Sequence, residues 1–144
     1  MARMHCSRRG RSGSTRPISR IPPSWVRLTS EEVEGLVVKL AKEGVPPSKI
    51  GVILRDQYAV PLVKTLTGKK LLKILGENNL APAIPEDLAN LIEKARRMQR
   101  HLSTHRSDGH NIHRLQLVES KIRRLVRFYK REGILPEAFQ IQLA

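Results

Sequence analysis

Between Leu88 and Tyr129, apolar residues recur at intervals of three or four, and the rhythm breaks once, at a polar turn. Side chains spaced this way stand above one another on a helix. Leu88, Leu91, Ile92, Ala95, Met98 and Leu102 form the first stripe, and Leu115, Val118, Ile122, Leu125 and Tyr129 form the second. Ser107-Asp108-Gly109 is the turn signal between them. Two long helices joined by so short a turn must pack antiparallel, as a hairpin. Lys121, Arg123, Arg124, Arg127, Lys130 and Arg131 fall largely off the second stripe. Around the turn cluster His101, His105, Asp108, His110, Asn111 and His113. The pattern is a stiff basic rod with a compact polar group at its entrance.

The preceding residues read as shorter helices. Thr29 caps the first, Glu32 completes a capping box three positions on, and Leu28 with Val33 supplies a hydrophobic staple. Val33, Leu36, Val37 and Leu40 are its stripe, and Gly44 ends it as a left-handed cap. Pro46 and Pro47 suit the first turn of a second helix, with Ile50, Ile53, Leu54 and Tyr58 as its stripe and Pro61 beyond its end. Gly51 within it is read as room for close helix packing. Thr67-Gly68 is expected to start a third, short helix through Leu71, Ile74 and Leu75. Asn78 to Pro85 is a loop, and Pro85 opens the first hairpin helix with Glu86 and Asp87 in its positive first turn. No strand-like alternation occurs, so the expected fold class is all-α. The expected division is a basic disordered tail over 1–27, a helical N-terminal domain over 28–78 and a helical-hairpin domain over 79–144.

Charge narrows the function. Among 144 residues, 27 are Lys or Arg and 13 are Asp or Glu, leaving a net charge of +14. That many uncompensated charges call for a polyanionic partner. No apolar run approaches the roughly 18 residues of a membrane span, and the basic start lacks the apolar core of a secretory signal. Residues 1–27 contain seven arginines, Arg8, Arg9 and Arg11 among them, and no acid. Such a segment buries too little to order itself and is expected to order on an anionic surface. It also fits an organelle transit peptide. The single cysteine, Cys6, permits no intrachain disulfide. One Trp, two Tyr and two Phe are too few for a base-stacking sheet.

Three chemistries compete for the turn. His101 and His105 have chelating spacing, and Asp108 and His110 would complete a zinc site. The H-E-x-x-H pattern is absent, and the cationic chain disfavours a divalent ion, so no metal is expected. Acid–base catalysis needs a concave site, whereas a helical hairpin offers a ridge, so no enzyme is expected. In the second helix, Lys49 and Arg55 are the only cations, which disfavours a DNA-reading helix-turn-helix. Lys69 and Lys70 follow Gly68 without the upstream glycine of a phosphate loop. RNA binding explains more of the chain. Polar turn residues reach base edges in the wide, shallow minor groove of A-form RNA while arginines along the helix hold phosphates.

The run H-L-x-x-H-x-x-D-x-H from His101 to His110, followed by L-Q-L-V-E-S-K-I-R-R-L-V-R-F-Y-K, resembles small-subunit ribosomal protein fifteen. The upstream P-S-x-I-G-V-I-L-R-D-Q-Y, L-T-G-K-K and L-A-P-x-I-P-E-D-L are similar to the archaeal and eukaryotic branch of that family. The start M-A-R-M-H and the tail G-I-L-P agree, and the resemblance displaces the transit-peptide reading. It implies a helical constituent of the small ribosomal subunit that binds ribosomal RNA at a three-way junction of the central domain. It further implies neighbouring small-subunit proteins, a role in assembly and translation, a contribution to the bridge with the large subunit, no cofactor and a cytoplasmic, ribosomal location.

By family position, His101, Asp108 and Asn111 touch the minor groove, and Arg124, Phe128 and Arg131 touch the junction. Phe128 stands where bacterial members have tyrosine, so a hydroxyl contact is lost there or moved to Tyr129. The bacterial T-G-S turn is not matched by Ala81-Pro82, and its contacts are not carried over. His105, His110, Arg114, Lys121, Arg8, Arg9 and Arg11 complete the expected RNA-binding set. The alternative is an extra-ribosomal nucleic-acid-binding or messenger-RNA-regulating protein using the same surface.

Overall fold

A computed structural model of the chain describes residues 21–139 and 141. The tail arginines Arg8, Arg9 and Arg11 lie outside the described residues. Among those residues are six α-helices and no strand, so the all-α expectation is met: α1 (Ser30–Lys42), α2 (Pro47–Gln57), α3 (Val63–Thr67), α4 (Leu71–Glu77), α5 (Glu86–Thr104) and α6 (Gly109–Arg131). Two compact units divide between Ala83 and Ile84.

The first unit has its own core, built from Val33, Val37, Ile50, Leu54, Val60, Ile74 and Leu75. The stripes of α1, α2 and α4 meet there. Thr29 caps α1 as its sequence dictates: Glu32 N–H donates to Thr29 Oγ1 at 3.4 Å, and Thr29 N–H donates to Glu32 Oε2 at 2.8 Å. Leu28 packs against the cluster that holds Val33. Tyr58 departs from expectation. It lies past the end of α2 and is exposed, and Val60 takes the buried place instead.

Two glycines also correct the sequence reading. Gly68 does not start a helix. It ends α3 at φ 70°, donating its N–H to Lys64 O at 3.0 Å, and the next helix begins at Leu71. The five-residue α3 has too few positions to show a helical period, which is why the sequence hid it. Gly51 gives no close helix approach either, because a Cβ added there meets nothing within 4 Å. Lys69 is held by Glu77 at 2.9 Å and Glu34 at 3.5 Å, a local ion pair rather than part of a phosphate loop.

The second unit is the expected antiparallel hairpin of α5 and α6. Leu88, Ile92 and Ala95 pack against Val118 and Ile122, with Leu91, Met98, Leu115, Leu125 and Tyr129 partly buried around them. Past α6, Leu135 enters this core and Phe139 and Ile141 cover it, a contribution that the sequence reading left out.

Three helix ends use one device. Val45 N–H donates to Leu40 O at 3.1 Å, Leu80 N–H to Leu75 O at 2.8 Å, and Ile134 N–H to Tyr129 O at 3.0 Å. Each such closure needs a left-handed residue just before the donor. Gly44 (φ 81°), Asn79 (φ 55°) and Gly133 (φ 70°) supply it.

Candidate nucleic-acid interface

The tip of the hairpin is organised by one carboxylate. Asp108 caps α6, its Oδ1 accepting from Asn111 N–H at 3.0 Å. Its Oδ2 accepts from Asn111 Nδ2 at 2.7 Å and lies 3.2 Å from His101 Nε2 on the last turn of α5. A carboxylate only accepts, so in this contact Nε2 carries the imidazole proton. The Asn111 backbone N–H and side-chain amide, and after them His101, hold the Asp108 carboxyl down at about 2. The group therefore stays an anion at any physiological pH.

His105 stacks on His101, ring centroids 4.4 Å apart and planes 9° from parallel. The His101 carbonyl accepts from Thr104 Oγ1 at 2.9 Å and lies 3.2 Å from His105 Nδ1. Four of the expected residues, His101, His105, Asp108 and Asn111, are thus brought into one contact network. His110 is exposed in the first turn of α6, outside that network. No group of three or more His, Cys, Asp or Glu among the described residues could hold a metal ion.

The other expected residues run along α6. At 3.6 residues per turn, Arg114, Lys121, Arg124, Phe128 and Arg131 fall on one flank of the core stripe, and Arg123, Arg127 and Lys130 fall on the other. Arg131 lies over the Phe128 ring at 5.6 Å. Arg124 stands roughly 20 Å from Asn111 along the helix. The tip and the Arg124–Phe128–Arg131 patch are therefore two separate patches on one rod. The Tyr129 ring meets Phe128 edge-on, centroids 5.4 Å apart, but its hydroxyl is engaged elsewhere. It donates to Asp87 Oδ1 and Oδ2 at 2.8 and 2.7 Å, tying the open end of the hairpin together. Burial, and then the neighbouring carboxylate, push the phenol up to about 12.

The two faces of the hairpin differ. Phe139 and Ile141 lie beside Arg123, Val126 and Arg127 on α6. They also lie beside Ala89, Ile92 and Arg96 on α5. The segment after α6 therefore occupies the Arg96–Arg127 face, and the Arg114–Arg131 flank is on the opposite one. On α5, Lys94 and Arg97 line a recess of about 420 Å³ with Met98, His101 and Asn111. The expected RNA-binding set did not include these two cations. Their i, i+3, i+7 spacing with His101 is the signal that they share its flank.

Comparison with known proteins agrees with this architecture. A family described as Ribosomal S13/S15 N-terminal domain matches residues 1–60, and one described as Ribosomal protein S15 matches residues 71–143. The small ribosomal subunit protein uS15 of Methanocella arvoryzae is 52% identical over 136 residues, which cover 94% of this chain and 90% of that relative. The chain belongs to the ribosomal protein S15 family. The family boundary between 60 and 71 falls within the first compact unit, so the S15 match takes in α4 as well as the hairpin.

Proposed function

We propose that this S15-family chain is a structural constituent of the small ribosomal subunit, binding small-subunit ribosomal RNA at the central-domain junction and supporting assembly and translation. The observation that carries the reading is the tip, where one carboxylate gathers His101 and Asn111 at the end of a rod with a cationic flank. A carboxylate has about four acceptor sites. Three are used within the protein, and the one left on Oδ1 suits a donor such as the guanine amino group in the minor groove. His101 and Asn111, with His105 and His110 beside them, face the same groove. Arg114 and Lys121 continue the contact along the backbone, and Arg124, Phe128 and Arg131 hold a second RNA element. The hairpin acts as a spacer that fixes the distance between the two.

In this reading, residues 1–27 clamp RNA through Arg8, Arg9 and Arg11, residues 28–78 form a helical N-terminal domain, and residues 79–144 bind the junction. The protein touches neighbouring small-subunit proteins, helps bridge to the large subunit, works on cytoplasmic ribosomes and catalyses no reaction.

The test is Asp108→Asn. Asparagine caps helices as well as aspartate does, so the hairpin stays folded. The variant is more positive, yet it should bind the junction RNA more weakly while binding a scrambled duplex equally or more tightly. Tighter binding to both RNAs would make Asp108 a turn-former only. Absence of the protein from sedimented small subunits would favour the extra-ribosomal alternative.

A further inference from the structure

We infer that Lys94 and Arg97 form a phosphate cradle beside the tip, seating two successive backbone phosphates of the RNA strand whose base edge the turn faces. The inference rests on the RNA-binding reading above and extends it along α5, since the expected contacts of the hairpin lie at its tip and on α6. Lys94, Arg97 and His101 rise along one flank of α5 in steps of about 4.5 and 6 Å, on the scale of one nucleotide's advance. The recess they line with Met98 and Asn111 has no carboxylate in its wall. From Lys94 to Ser107 the chain contains no acid at all. Arg97 has one contact to exchange: Glu93, a turn earlier, at 3.7 Å, with both side chains more than half exposed. A pair so exposed and so long is weak, and a phosphate offers the guanidinium a closer, charge-assisted partner. The half-buried Met98 gives the recess an apolar floor against which a ribose can rest.

The same helix supplies its own control. Arg96 and Arg100 line a different recess with Gln99 and Ser103. Arg96 is also on the side of the hairpin that Phe139 and Ile141 occupy. Replacing either pair of cations removes the same charge from the same helix, but only Lys94 and Arg97 line the recess that His101 shares.

The experiment compares the full-length protein with Lys94→Gln/Arg97→Gln and with Arg96→Gln/Arg100→Gln, using junction RNA and a scrambled duplex across a salt series. Glutamine is a good helix former, and circular dichroism checks that α5 is intact. The cradle predicts that the Lys94/Arg97 variant loses roughly tenfold in affinity and that its log–log salt slope shrinks by about two contacts' worth. The Arg96/Arg100 variant should keep most of its slope. An unchanged slope in the first variant, or equal losses in the two, overturns the cradle and leaves a diffuse field. If the parent protein does not prefer the junction RNA, the functional reading fails instead, and the slopes on the duplex still decide the cradle.

Discussion

Asp108 accepts three hydrogen bonds on two oxygens, and its acidity records them. The carboxyl is held at about 2, below its ordinary range, by the Asn111 amides first and His101 after them. A depressed carboxyl stabilises the fold above its unfolded value and loses that contribution as pH falls through the folded one. The tip should therefore keep its order down to about pH 2–3. Carbon-detected NMR titration of the Asp108 carboxyl is the check, and a midpoint near an ordinary aspartate would contradict the network. Tyr129 runs in the opposite direction. Its phenol is pushed up to about 12, so its bond to Asp87 is present below the ordinary phenol range and is lost as pH rises through about 12. Tyr129→Phe should remove the late-titrating phase of tyrosinate absorbance. The same change should lower stability by about 1 kcal/mol, the net worth of a partly exposed hydrogen bond.

For the elements, glycine position separates gain from loss. Gly51 sits inside α2 with open space where a side chain would go. Gly51→Ala should stabilise the chain by about 0.5–1 kcal/mol, because alanine gives up less backbone freedom on folding. Gly133 closes α6 at φ 70°, so Gly133→Ala should destabilise by about 1 kcal/mol or more even though space is available. Thermal unfolding of both variants tests the pair, and equal signs would refute the distinction. The capping box at Thr29 belongs to the same scale: Thr29→Ala should cost about 1 kcal/mol.

At the scale of the whole molecule, two separate cores carry the fold and one face of the hairpin is proposed to carry the function. Ile122 is 1% exposed at the centre of the α5–α6 core, and Ile122→Ala should cost about 2–5 kcal/mol through lost burial and the cavity left behind. Chemical denaturation followed by helix content measures that loss. The net charge of +14 sets a strong, sequence-independent attraction to RNA, so affinity should fall steeply and linearly on a log–log plot against salt. In the proposed function specificity comes from the tip, where Asp108 would set an anion against a polyanion.

The sequence by itself determined five of the six helices, the hairpin and four members of the polar cluster, His101, His105, Asp108 and Asn111. Those follow from local rules: a 3.6-residue period, a capping box at Thr29, and a left-handed glycine at Gly44. It did not reveal α3, whose five residues are too few to show a period, nor Asn79 as the left-handed closure of α4. The tertiary structure decided what depends on neighbours distant in the chain. It set the Tyr129 hydroxyl on Asp87, 42 positions away, while the ring stays edge-on to Phe128. It laid Phe139 and Ile141 on one face of the hairpin, and so settled which cations of α5 and α6 share the other. A helical period tells which residues point off the apolar stripe. Only packing against a second helix and a returning chain separates the two flanks, because both are equally polar in sequence.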